Sequence, residues 1–284
     1  MVKDDLAALD RRWARTLPAR AARELIVCGL FDAIVRSYAR VEVVGREQLA
    51  DRLHGPAIFV ANHSSHVDTP VLLRALPGRW RRRTAVAAAV DYFYTRRSVA
   101  AAVSLAFCTV PLERRGGNGG STAALQPLIE AGWSLVVFAE GTRSRDGRVG
   151  PLRSGAAALA ALHGLPLVPV HIAGTRAAMP VGRRWMVRPA GGRRRHALRV
   201  TFGAPIAVDP RGDRFEAMER VRLFLSDHGA ATTPDPKLAA RRTAAEAAAE
   251  RAAAREAGSG AASGTAPGEA ASPEHASISE GRRS

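Results

Sequence analysis

From Val41 to about residue 228, seven short apolar runs alternate with stretches of helical spacing. The runs are "VEVVG", "AIFVAN", "TAVAAAV", "AFCTVPL", "WSLVVFAEG", "LPLVPVHIAG" and "ALRVTFG". Helical patterns lie between them, near 69–76, 91–104, 121–132, 155–163 and 214–228. That alternation predicts a single α/β domain: a largely parallel sheet of about seven strands flanked by helices. In such sheets the chemistry gathers in loops just past the carboxyl ends of the strands. The loops to inspect therefore follow Val60, Leu112, Phe138 and Ile172.

The flanks differ from this core. Residues 1–40 read as a helical segment with Leu25, Cys28, Phe31, Ile34, Val35 and Tyr38 on a three-to-four spacing. Such a stripe either docks on the core or lies in a lipid interface. The α/β block runs over 41–228, and 229–284 is a low-complexity Ala/Gly/Ser/Arg tail, partly helical and then disordered by expectation. The two cysteines, Cys28 and Cys108, have no metal-like or disulfide spacing and suit reduced, buried thiols. The amino terminus is charged, so secretion is not expected. The best charge-free apolar run, Ser98 to Leu112, has fifteen residues, too few to span a bilayer.

Charge narrows the partners. The formal net charge is +16, carried almost wholly by arginine, since Lys3 and Lys237 are the only lysines. Between Asp146 and Asp209 there are ten arginines and no acidic residue. That field attracts phosphate, on a lipid headgroup, a small substrate or nucleic acid. For nucleic acid the interleaving is poor: "RRWMVRPAGGRRRHALR" holds only Trp185 among its basic residues, and no helix-turn-helix, zinc-finger or RNA-recognition signature occurs.

Three stretches can carry chemistry. "ANHSSHVDTP", 61–70, follows a strand and opens a helix. Asp68 could simply cap that helix. A zinc site lacks a third ligand, and a serine nucleophile lacks its Gly-x-Ser-x-Gly elbow. What remains is His63 as a general base with Asp68 orienting its ring. His66 is a rival base, read more simply as a surface-loop histidine. "VVFAEGTRSRDG", 136–147, ends a strand on Glu140, Gly141, Thr142, Arg143 and Ser144. Gly141 permits a sharp turn, Arg143 can grip a phosphate, and Glu140 suits holding that guanidinium or a substrate hydroxyl. "VPLERRGG" ends a third strand with Arg114 and Arg115.

Taken in order, these blocks resemble the glycerolphosphate and lysophosphatidic acid acyltransferase family. "NHSSHVD" is similar to its NHxxxxD block, with Asn62, His63 and Asp68 in the matching positions. "VPLERRGG" resembles its second block, whose arginine falls on Arg114. "FAEGTRS" resembles its FPEGTRS block on Glu140 to Ser144, with Ala139 where the family has proline. "LVPVHIAGT" resembles the fourth, on Val168, Pro169 and Val170. The resemblance covers roughly residues 40–210.

It implies acyl transfer from a thioester, acyl-CoA or acyl carrier protein, to a hydroxyl of a lysophospholipid, most simply 1-acylglycerol-3-phosphate, in phospholipid biosynthesis. His63 would be the base and Asp68 its orienting acid; Arg114 and the Glu140–Ser144 loop would bind the acceptor phosphate. It implies no bound cofactor and no metal. The amphiphilic substrates imply work on an anionic membrane surface, by expectation the cytoplasmic face, with no nucleic acid as partner. A glycolipid or amino-lipid acceptor fits the same four blocks.

Overall fold

In the computed structural model the described residues are 11–89, 97–112, 125–191 and 194–233, with a few isolated positions between 236 and 247. The chain divides into two compact units, Met1–Leu238 and Ala239–Ser284. The first holds the fold.

All seven apolar runs form strands: β1 (Ala39–Val44), β2 (Ile58–Ala61), β3 (Thr84–Ala89), β4 (Thr109–Leu112), β5 (Ser134–Phe138), β6 (Leu167–Ala173) and β7 (His196–Phe202). They make one sheet in the order β1-β7-β6-β2-β5-β3-β4. Every pairing is parallel except β6 with β7. β2 shows why its run is continuously apolar. Phe59 and Ala61 enter one core layer, Ile58 and Val60 the other, and all four are fully buried. A strand covered on both faces has no water-facing side to mark with polar residues.

Helices supply the two covers. On one face lie α2 (Asp32–Tyr38), α3 (Arg46–Arg52), α4 (Asp68–Ala75), the short α5 (Gly78–Arg81) and α6 (Arg97–Phe107), with α1 (Leu17–Leu25) packed against α6. The other face carries α7 (Gln126–Glu130), α8 (Gly155–His163) and α10 (Arg214–Asp227). The short α9 (Thr175–Ala178) follows β6. The helices expected near 69–76, 155–163 and 214–228 are α4, α8 and α10. Of those expected near 91–104 and 121–132, α6 and α7 are seen, and 90–96 and 113–124 lie outside the described residues. The short helices α3, α5 and α9 went unanticipated: at four to seven residues they carry too little periodicity to read.

The amino-terminal segment packs against the α/β core through Val27 and Val35. Between α1 and α2 the chain loosens into a π-helical turn, Ile26–Phe31. The buried Arg23 guanidinium, on α1, donates to the carbonyl oxygens of Ala14, Ser104 and Leu105. It thereby caps the carboxyl end of α6, where carbonyl oxygens lack helical partners and the helix dipole favours a cation.

Candidate active site

β2 lies between β5 and β6, and the register pairs Ala61 with Phe138 on one side and with Val170 on the other. The segments leaving these strands therefore emerge side by side, where an open α/β sheet places its ligands. Asn62 ties two of them together. Its amide group donates to the Ile172 carbonyl at 2.9 Å and accepts from the Ile172 N–H at 2.8 Å.

His63 comes next. Its Nδ1 lies 2.9 Å from Oδ2 of Asp68, the fully buried first residue of α4. The N–H groups of Ser64 and Ser65 donate to the same oxygen at 2.7 and 2.8 Å. Val67, not Asp68, is the cap residue, so the carboxylate turns back into its own loop rather than closing the helix. With Nδ1 engaged as donor, the tautomer leaves Nε2 to accept a proton. The ring stacks on Phe138, centroids 4.1 Å apart.

Glu140 does something other than grip an arginine. Its Oε1 accepts the His63 N–H at 2.7 Å and its Oε2 the Gly150 N–H at 3.1 Å. Burial pushes this carboxyl up to about 7, against the pull of those two bonds. Glu140 is thus a brace between two loops. Gly141 turns with φ +74°, and a Cβ there would meet the Arg153 Nε at 2.9 Å. Ser144 donates its N–H to the His63 carbonyl at 2.8 Å, and Arg176 donates to the carbonyls of Ser144 and Arg145.

These groups line a cavity of about 1270 Å³. Near His63 it is polar and basic, with Thr142, Arg143, Ser144, Arg148 and Arg153 in its wall. Its wall also includes the apolar Phe31, Val35, Val103 and Phe107. A charged group and a hydrocarbon chain can both be housed there. His66 is a correction: it is half-buried in the cavity wall, not a surface histidine. Burial first, and then the Arg143 charge, hold it down at about 4, so it is neutral at neutral pH. Val168, Pro169 and Val170 sit on β6, Val168 and Val170 in the core beneath Asn62. Arg114 lies outside the described residues. Sequence reasoning missed Phe138, Gly150, Arg153 and Arg176; none has a motif, and each reaches the site only through the tertiary fold. Among the described residues no group of His, Cys, Asp and Glu is arranged to hold a metal ion.

The acyltransferase family model matches residues 40–173, which contain His63, Asp68 and the Glu140–Ser144 loop. This domain belongs to the acyltransferase family. The acyltransferase domain is 30% identical over 148 residues to a chloroplastic 1-acyl-sn-glycerol-3-phosphate acyltransferase of Brassica napus, covering 51% of this chain and 40% of that protein. A probable 1-acyl-sn-glycerol-3-phosphate acyltransferase of Mycoplasma genitalium is 26% identical over 184 residues, covering 63% of this chain and 68% of that one. The chain thus spans about 40% of the length of the chloroplastic relatives of Brassica napus and Arabidopsis thaliana. The crystal structure of the 1-acyl-sn-glycerophosphate acyltransferase of Thermotoga maritima has the same fold, with a TM-score of 0.55 and 24% identity over 77% of this chain and 82% of that one.

Proposed function

We propose that the acyltransferase domain moves a fatty acyl group from an acyl thioester to a hydroxyl of a 1-acylglycerol-3-phosphate-like lysophospholipid. The observation that carries this is the His63–Asp68 pair at 2.9 Å, on the wall of a cavity lined by both basic and apolar side chains. His63 Nε2 takes the acceptor's hydroxyl proton as that oxygen attacks the thioester carbonyl. The tetrahedral intermediate then expels the thiolate, which recovers the proton from the imidazolium. Asp68 holds the ring and offsets the positive charge in between. No acyl-enzyme is required, because the thioester is already activated.

Arg143 with the Thr142 hydroxyl suits the acceptor phosphate, since a guanidinium can give paired N–H bonds to phosphate oxygens; the Ser144 hydroxyl instead donates to Asp146 at 3.1 Å and accepts from the Gly147 N–H at 2.8 Å, closing the turn. The apolar part of the cavity suits acyl chain. Such substrates reside in bilayers, and a membrane-surface location is supported by Trp13, Leu17, Leu25 and Leu30, which are exposed on the arginine-rich amino-terminal segment. No helix among the described residues is long and apolar enough to cross a membrane.

The deciding experiment is His63→Ala, assayed for transfer from labelled acyl thioester to lysophosphatidic acid. Turnover should fall by about 10²-fold or more, as for the loss of a general base. Undiminished turnover with a folded variant would end the reading.

A further inference from the structure

The basic segment between α9 and β7 plays no part in the chemistry above. We propose that it binds the phosphorylated adenosine end of a coenzyme A thioester, with the purine on the Trp185 ring and the phosphates on Arg183, Arg184 and Arg188. The inference rests on the acyl-transfer reading and adds the donor: acyl-CoA.

Around Met186 the segment is built rather than loose. Met186 is buried in the core. The Val187 N–H donates to the Ala178 carbonyl at 2.8 Å, and the Val187 carbonyl meets His196 Nε2 at 3.0 Å. These anchors fix the residues on either side of Met186 before any ligand arrives, so little ordering is left for binding to supply.

Trp185 is 57% exposed, yet its Nε1 already donates to the Tyr38 hydroxyl at 3.1 Å. A tryptophan seated in a lipid headgroup layer directs its N–H to that layer. Here the N–H is satisfied within the protein, and what remains on offer is ring surface. Every nucleobase has a π-face that stacks on such a ring. Arg188 lies over the Tyr38 ring, 5.3 Å from its centroid, beside this platform.

Charge points the same way. Among the described residues Arg183, Arg184 and Arg188 have no carboxylate partner, and the sequence has no acidic residue from 147 to 208. A lysophospholipid brings one phosphate, for which the Arg143 loop suffices. Uncompensated guanidinium groups around an aromatic platform fit a second, polyanionic ligand that carries a purine. Finally, Arg184 and Trp185 line the same cavity as His63. A small ligand held there has its other end in the reaction chamber, whereas a bilayer or an acidic carrier protein would meet the segment from outside.

The probe is adenosine 3′,5′-bisphosphate, titrated calorimetrically into the full chain, alongside KM measurements for acyl-CoA and acyl carrier protein donors. Trp185→Ala should weaken bisphosphate binding by about tenfold, the loss of one stacked base; the double change Arg183→Gln, Arg184→Gln should weaken it through lost charge-assisted bonds to the phosphates, and both should raise KM for acyl-CoA to match. Trp185→Phe should restore most of the affinity. All three positions are exposed, and thermal melting verifies folding. No bisphosphate binding by the parent chain, or equal binding by the variants, overturns the proposal. So does a KM for acyl carrier protein that rises while that for acyl-CoA stays put, or a loss confined to binding of anionic phosphatidylglycerol vesicles. Transfer from acyl-CoA with an unmoved KM would reject this site and leave the acyltransferase reading standing. Trp185-dependent bisphosphate binding without any transfer would do the reverse.

Discussion

The backbone N–H of His63 donates to Oε1 of Glu140 at 2.7 Å, so the residue that positions the imidazole from below is an acid belonging to the next strand's loop. Its other oxygen holds Gly150 at 3.1 Å. Glu140→Gln keeps the size but places an NH₂ against one of two N–H donors. A folded Glu140→Gln protein should lose kcat by about tenfold or more, on the scale of a misplaced catalytic group, with a smaller change in acceptor KM. Steady-state kinetics on both substrates checks this.

The same carboxyl predicts a pH effect. Held up at about 7 against its ordinary 4.5, it keeps a proton in the folded state that the unfolded chain has already lost. Its contribution to stability is complete below about 4.5 and declines as pH rises through about 7. Melting curves from pH 4.5 to 8 should show this decline in the parent and not in Glu140→Gln.

His171, buried on β6, works in the opposite direction. Burial first, and then the neighbouring His228, hold it down at about 4 against 6.5. The folded state therefore resists the proton that the unfolded chain accepts, and stability is lost as pH falls from about 6.5 through 4. His171→Gln should flatten this acid limb in thermal or urea melts; an unchanged limb would contradict the neutral, buried ring.

Asp68 allows a clean separation of charge from geometry. One oxygen, Oδ2, receives three N–H groups, whereas Oδ1 is buried without a partner among the described residues. In Asp68→Asn the carbonyl oxygen can occupy the Oδ2 position and preserve the His63 tautomer. What disappears is the negative charge facing the imidazolium. The variant should stay folded and lose about 10²-fold or more in kcat, with little change in acceptor KM.

A strap near the end of the described chain bears on the same loop. Val149 donates to the Ala231 carbonyl at 2.7 Å and accepts from the Thr233 N–H at 2.8 Å, next to Gly150. Thr233→Pro removes that donor without touching the sheet. Its kcat should fall several-fold while the melting temperature stays within a few degrees, as loss of one hydrogen bond of about 1 kcal/mol allows. A chain ending at Gly229 should be impaired further than one ending at Thr233.

Much of the architecture was legible because parallel strands buried on both faces must be written as unbroken apolar runs, and "AIFVAN" and "LPLVPVHIAG" are such runs. The reversed direction of β7 was not, because pairing direction depends on how a chain returns to the sheet and not on its composition. α9 and α3 were invisible for want of length. At the site, His63 and Asp68 were legible from loop position and spacing. The inward placing of His66 was not, since "SSHVD" reads equally well as a surface turn.

Sequence alone determined the strand set, the burial of the central strands and the paired histidine and aspartate, because local periodicity and five-residue spacing are written into neighbouring positions. Only the tertiary structure decided that Glu140 braces His63, that Phe138 stacks on it and that Trp185 shares its cavity. Those relations join residues 75 to 122 positions apart, and they exist because the sheet register sets Ala61 beside Phe138 and Val170.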